Sequence, residues 1–340
     1  MMSTQQSSKN TQTSSITPDT LLNAAHRWYL PVRLKVAEGF DERFQPTGFP
    51  NLGPALYKAM NDGAAADYLL VESAQSLANW MEALCLDPQH PCRYNNDCAG
   101  IPYVVVREKV NSQPTTDLTS SVTEPHRLAS DMVLDATNNG SKFSNTLTML
   151  LQVDKDRPVY LPRIAKRLFY IDPACLLHGV FLEKLDGRVR FPRLLSATIT
   201  AKEPQAVNAG GVMRGYVTAA GSEASIPYST QHFASSDIKL QLTFHTDTLN
   251  SWGLDDEERQ FLAAFALYKV NKLLASFPRL RTACVLDPDE IPTVNYDLRT
   301  AINAAFTQSR RQAVFGAVTA LPQPLTPNAT EFSPFELDRS

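Results

Sequence analysis

The sequence predicts an α+β protein, and three observations carry that prediction. Two segments, LPVRLKV (Leu30 to Val36) and IKLQLTFH (Ile238 to His245), alternate apolar and polar residues with the period of a half-buried strand. A third, YLLVE (Tyr68 to Glu72), runs straight into SAQSLANWMEALCL, where Ala74, Leu77, Ala78, Met81 and Leu84 recur at helical spacing. The strongest helical pattern, DDEERQFLAAFALYKVNKLLASF, comes late, with acids in its first turn and Lys269 and Lys272 towards its end, as the helix dipole prefers. Strands and helices do not alternate in the regular way of a doubly wound sheet.

The elements follow in order. Residues 1–20 read as a disordered polar tail, and MMSTQQSSKNTQTSS lacks the apolar core of a secretory signal. After the first strand comes RFQPTGFPNLG (Arg43 to Gly53), whose two prolines and missing periodicity make it a stiff loop. Ser73 is placed to cap the helix that follows. Residues 87–100 are loop, IPYVVVRE is a strand, and 111–125 is a Ser/Thr/Pro-rich loop. Arg127 to Leu134 fits no single period, Asn138-Asn139-Gly140 marks a turn, and LTMLLQV suits strand or helix. Arg163 to Phe169 is a basic helix. LLHGVFLEKL and RVRFPRLLSATITA form two strands of a hairpin around Asp186-Gly187, the dipeptide of a type I′ turn. NAGGVMRGYV is a glycine-rich flexible loop carrying Arg214, and residues 319–340 form a loosely ordered tail. The expectation is a single domain over residues 21–318.

Hydrophobic residues make up 43% of the 340-residue chain and charged ones 20%, the balance of a globular protein. No apolar run approaches the ~20 residues that span a bilayer. Five cysteines (Cys85, Cys92, Cys98, Cys175, Cys284) are scattered and odd in number, which suits reduced thiols in the cytoplasm. The net charge is −3, but Lys155 to Arg193 is locally basic, which permits a nucleic-acid surface.

Three kinds of chemistry are weighed. For catalysis, the six histidines are dispersed and no nucleophile elbow, phosphate-binding glycine loop or paired-histidine metal signature occurs. His178 reads as a strand histidine near the core, and His126 is the better candidate for chemistry but has no evident partner. For metal, Cys85, His90, Cys92 and Cys98 lie close together, but they are not paired as C-x-x-C and Cys85 falls on the apolar run of a helix. The expectation is one core cysteine, two loop thiols, no metal and no cofactor. For nucleic acid, RFQPTGF sets Arg43, Gln45 and Thr47 beside Phe44 and Phe49, cations and amides for phosphates and rings for unpaired bases. Ser73, Gln75, Ser76 and Asn79 sit at a helix N-terminus, where backbone N–H groups favour an anion. Arg193 and Arg214 add two cations in loops. Arg127, with Arg163, Lys166 and Arg167 of the basic stretch, completes the candidate RNA contacts.

The order RFQPTGFPNLG, LLVESAQSLAN, HGVF, GRVRFPRLLSA, AGGVMRG and LRTACVLDP resembles the CRISPR-associated RAMP proteins that form the backbone of the type I-G (formerly I-U) Cascade complex. The likeness runs from about Leu30 to about Pro288. It implies a modified RRM-like (ferredoxin-like) palm, with thumb and finger insertions within 87–165 and 200–232. It further implies a non-catalytic subunit that polymerises along crRNA, holds its phosphates, and presents it for pairing with target DNA in antiviral defence. Expected partners are crRNA, the paired target strand, further copies of the chain and other Cascade subunits, with no membrane. The S-x-Q-S-L turn of related backbone subunits is matched by Ser73, Gln75, Ser76 and Leu77. Ala78 and Asn79 stand where relatives often carry a basic residue, so contact there rests on hydroxyl, amide and backbone donors. The alternative is a RAMP-type endoribonuclease acting on guide precursor or target RNA, with His126, Asp131 and Asp135 as its loop residues.

Overall fold

The computed structural model describes residues 15–39, 41–49, 53–61, 63–108, 116–138, 141–207, 213–219, 222–228, 231–316 and 335–339. Its centre is a six-stranded antiparallel sheet of β1 (Trp28–Val36), β2 (Leu56–Asn61), β3 (Ala64–Glu72), β4 (Leu195–Lys202), β5 (Asp237–Phe244) and β6 (Leu286–Pro288), in the order β6-β1-β5-β4-β3-β2. The long central strand β5 aligns both neighbours: Phe244 faces Trp28 of β1 and Leu195 of β4. Alternation sets the register, because a slip by one residue would turn Ile238, Leu240, Leu242 and Phe244 away from the core.

Two helices cover that face. Helix α1 (Ala74–Ala83) follows β3 directly and packs on β4, while α3 (Asp256–Ala275) lies against α1. Between them in sequence falls the basic helix α2 (Leu161–Phe169). Asp255 and Glu258 form a capping box at the start of α3. From Phe261 to Val270, α3 is buried all round, including Lys269, whose ammonium donates to His178 Nε2 at 3.1 Å. Lys269 is therefore an interior charge, not the solvent-facing complement to a helix dipole that its position suggests.

Several expectations shift. The N-terminal tail ends earlier: Thr17 caps a helix over Pro18–Leu22, and Ile16 bridges Val294. LTMLLQV is helical within Phe143–Leu151. LLH lies in the helix Ala174–His178 that Pro173 begins and Gly179 (φ 82°) ends, so His178 is a helical residue. The hairpin keeps positive φ at both Asp186 and Gly187, but its strands shrink to Val180–Leu182 and Val189–Phe191, so six residues connect them in place of a two-residue turn. Arg214 lies in the strand Met213–Ala219, paired with Ser222–Tyr228, because Tyr216, Val217 and Thr218 favour extended backbone. Phe335–Arg339 is a strand pairing in parallel with Val104–Glu108 inside a separate five-stranded sheet.

The core encloses several ionisable groups. Arg127 donates to both carboxylate oxygens of Glu82, at 2.7 and 2.8 Å, with both side chains almost wholly enclosed. Burial pushes the Asp172 carboxyl up to about 6, opposed in part by a hydrogen bond from Ser121. Burial and the Lys269 charge hold the His178 imidazole well below its ordinary value, so it is the neutral acceptor in its bond to Lys269.

Phe44 is fully buried and its backbone bridges Phe233 in both directions, at 2.8 and 2.9 Å. Phe44→Ala is expected to lower unfolding free energy by about 3–5 kcal/mol in urea melts. Asp172 binds its proton more tightly folded than unfolded, so its contribution to stability rises as pH falls through 6 and is complete below about 4. Wild type is expected to gain roughly 2 kcal/mol on Asp172→Asn between pH 7 and pH 4. His178 acts in the opposite sense below about pH 6.5, but equally in both proteins, so paired melts isolate Asp172.

Candidate nucleic-acid interface

The turn from β3 into α1 is built as its residue types dictate. Ser73 holds an extended conformation and its hydroxyl accepts from Ser76 N at 3.2 Å, capping the helix. Gln75 in the first turn splits its amide: Nε2 donates to Asn79 Oδ1 (2.9 Å) and to the Pro125 carbonyl (3.0 Å), while Oε1 accepts from Arg193. Four of the expected residues, Ser73, Gln75, Asn79 and Arg193, thus meet around one helix N-terminus.

Arg193 is the charge that distinguishes the site. Among the described residues no carboxylate comes within ion-pair distance of it, and its Nε is buried without a partner. Burial and the nearby Arg127 charge push its pKa down. Such a cation is stabilised by an incoming anion more than a surface arginine already paired with an acid. Arg193 lines a groove of about 680 Å³ with Gln75, His126, Gly179, Phe181 and Arg190. Gly179 is required beside it: a Cβ there would meet Phe191 O at 3.1 Å and Arg193 N at 3.2 Å, at a positive φ.

Arg127 faces inward. It is 2% exposed, its guanidinium is consumed by Glu82, and its remaining donor reaches the Gly179 carbonyl at 3.3 Å. As a candidate RNA contact it is corrected to a buried support for the groove.

The RFQPTGF loop lies beside the same turn. Gln45 N donates to Ala283 O (2.7 Å) and Thr47 N to Val71 O (2.9 Å), so its backbone is tied to the LRTAC segment and to β3. Arg281 locks both, donating to the Gln45 carbonyl (3.1 Å), the Val71 carbonyl and the Glu72 carboxylate (2.6 Å). Arg281 was legible only as a letter in LRTAC, since nothing in its local sequence points to a buried acid over two hundred positions earlier. Phe44 turns into the core and is a packing anchor, which removes it from the RNA-facing residues. Arg43 is half-exposed, with Asp41 at 3.6 Å, and Gln45, Thr47 and Ser76 are partly exposed. The side chains of Phe49 and Arg214 lie outside what the structure describes.

The basic stretch does not form one groove. Lys166 is bracketed by Asp255 and Glu258, both at 2.6 Å, and is neutralised. Arg167 donates to the Leu150 carbonyl (2.7 Å) and lies over the Phe315 ring. Arg163 is exposed beside them. These three line a separate depression of about 390 Å³ that shares no residue with the groove at Gln75. Lys155 and Arg157 have acidic partners of their own.

His126 is exposed at the groove, while Asp131 and Asp135 are both held by Lys184, at 2.8 and 3.0 Å. Cys85 and Cys98 are both fully buried, so two core cysteines replace the expected one, and His90 points out to Asp87. Among the described residues no cluster of three or more His, Cys, Asp or Glu is arranged to hold a metal ion. None of the described helices is long and apolar enough to cross a membrane.

These features sit in a chain that falls among the CRISPR-associated proteins. Residues 29–205, more than half of the 340, match the family model described as CRISPR-associated protein GSU0053, and the chain belongs to that family. Among solved structures it is similar to the crystal structure of Thermofilum pendens Csc2, with 10% identity and a TM-score of 0.30. That match covers 72% of this chain and 60% of the Csc2 chain. A chain of a CRISPR RNA-guided surveillance complex, pre-nicking, matches with 12% identity and a TM-score of 0.29, covering 91% of this chain and 96% of that one. No curated protein matches by sequence.

Arg281 ties the loop, the strand end and a buried acid, and its removal leaves the Glu72 carboxylate buried without its counter-charge. Arg281→Ala is expected to cost about 3–5 kcal/mol in chemical melts and to speed limited proteolysis near residues 43–47. Arg281→Lys recovers only part, because a lysine cannot reach a carboxylate and two carbonyls at once.

Proposed function

We propose that this chain is a non-catalytic backbone subunit of a type I CRISPR surveillance complex, of the type I-G (formerly I-U) Cascade. It holds the phosphates of crRNA, and copies of it line up along the guide in the cytoplasm. Base pairing with target DNA then reads sequence, while the protein reads only the guide's backbone. The single observation that carries this reading is Arg193, oriented by Gln75 at the N-terminus of α1 and lacking a carboxylate partner. Membership of a CRISPR-associated family supplies the setting.

The topology supports an RRM-like palm. Taken alone, β6-β1-β5-β4 with α1 after β1 and α3 after β5 has the strand order of a ferredoxin-like core, and the β2–β3 hairpin extends it at one edge. The five-stranded sheet built on Val104–Glu108 suits a thumb insertion, and the paired strands between Gln205 and Ala234 suit a finger. The slightly negative net charge is compatible with RNA binding because the cations that matter are local.

Protein purified from cells that express a guide array is expected to carry RNA, seen as a raised 260/280 nm absorbance ratio and identified by sequencing. Combining Arg43→Ala with Gln75→Ala is expected to weaken guide binding and multi-copy assembly. The slope of log affinity against log salt should fall by about 0.7 for each phosphate no longer held. Unchanged affinity and assembly would overturn the reading. Cleavage of precursor or target RNA, abolished by His126→Ala, would replace it with the endoribonuclease.

A further inference from the structure

We propose that the short hairpin Val180–Leu182/Val189–Phe191 carries a subsite for one unpaired RNA base, stacked on Phe181, with the adjoining phosphate between Arg190 and Arg193. The inference rests on the guide-RNA reading above and adds where a base goes. Strand alternation sends Val180, Leu182, Val189 and Phe191 inward, where all four are buried. It sends Phe181 and Arg190 outward, and the two are direct cross-strand partners. Side chains opposite one another in an antiparallel pair stand within contact distance on the same face.

Phe181 is 47% exposed, and among the described residues neither an aromatic ring nor a cation is stacked on it. Among those residues Arg190 forms no ion pair, and of the two carboxylates lining the same groove, Asp131 is held by Lys184 and Glu183 is exposed. An open aromatic face beside an uncompensated arginine is the pairing that single-stranded nucleic acid requires, a platform for a base and a charge for the backbone. Both side chains line the same groove as Arg193 and Gln75, and its volume of about 680 Å³ lies in the range of small-ligand sites. Gly179 lets the hairpin base approach Arg193 closely, so the ring and the two guanidiniums are held on one short stretch of chain, which Arg193 joins to the helix N-terminus through Gln75. His126 also lines the groove and offers a ring nitrogen to a base edge or a ribose hydroxyl. An apolar protein surface would cover the ring but leave two arginines without counter-charge, whereas a nucleotide brings a base and a phosphate together.

The test uses the full-length chain assembled on a guide RNA carrying 4-thiouridine at successive positions. Near-ultraviolet crosslinking and peptide mapping are expected to join thiouridine to the peptide containing Phe181. Phe181→Leu should abolish that crosslink and weaken RNA affinity roughly 5- to 150-fold, the span measured for loss of one stacked base. Phe181→Trp should restore both, and Arg190→Ala should lower the salt slope by about 0.7 with the melting temperature unchanged. If wild type binds guide RNA but crosslinks elsewhere and is indifferent to Phe181→Leu, the subsite is overturned while the scaffold reading stands. If wild type binds no guide RNA, both fall. If Phe181→Leu releases a protein partner with RNA affinity intact, the ring is a protein contact and the subsite is overturned.

Discussion

The interaction on which the rest depends is the enclosed pair between Glu82 and Arg127. A carboxylate and a guanidinium taken out of water are stable only together, and here both N–H···O bonds of the fork are made. The consequence is geometric more than energetic. Glu82 sits in the last turn of α1, Arg127 opens the 3-10 turn Arg127–Ala129 at the groove wall, and the spare guanidinium donor reaches Gly179 at the foot of the hairpin. Gln75 makes the matching connection from the first turn of the same helix, to Pro125 and Arg193. One ten-residue helix therefore fixes both walls of the site from its two ends. Arg127 adopts a positive φ of 55° to make this contact, an uncommon conformation that its buried partner holds in place.

Much of the fold was legible because it rests on local periodicity. β1, β3, β5 and α1 each announce themselves within ten residues, since each buries one face and leaves the other polar. Helix α3 was legible from the acids in its first turn and the lysines towards its end, although its middle, Phe261 to Val270, is buried on every side. What local pattern does not carry is a terminus set by a single residue, as when Gly179 ends a helix inside a run that reads as strand. Nor does it carry pairing across long separations, as in the parallel contact of Phe335–Arg339 with Val104–Glu108.

At the candidate site, legibility was greatest where chemistry is local. Ser73, Gln75 and Ser76 form a capped helix start that any chain with those letters tends to make, and Arg193 meets them there. It was weakest for cations, because charge is visible in a sequence and counter-charge is not. Lys166 and Arg127 look alike on paper to Arg193, yet two of the three are neutralised by acids about forty-five to ninety residues away in the chain. Arg190 and Phe181 were missed for a related reason. Their significance lies in facing each other across a hairpin, and only strand register reveals it.

The strand Phe335–Arg339 gives the molecule a timetable. Its slot lies between Val104–Glu108 and Thr137–Asn138, so the sheet around the first of these stays incomplete while more than two hundred further residues are synthesised. Until residue 339 has emerged from the ribosome, Val104–Glu108 presents an unpaired edge on a run of three valines, the kind of edge that invites pairing with a wrong chain. A nascent chain in this state has every reason to keep its neighbours at a distance. Closure of the slot by Phe335–Arg339 removes that edge.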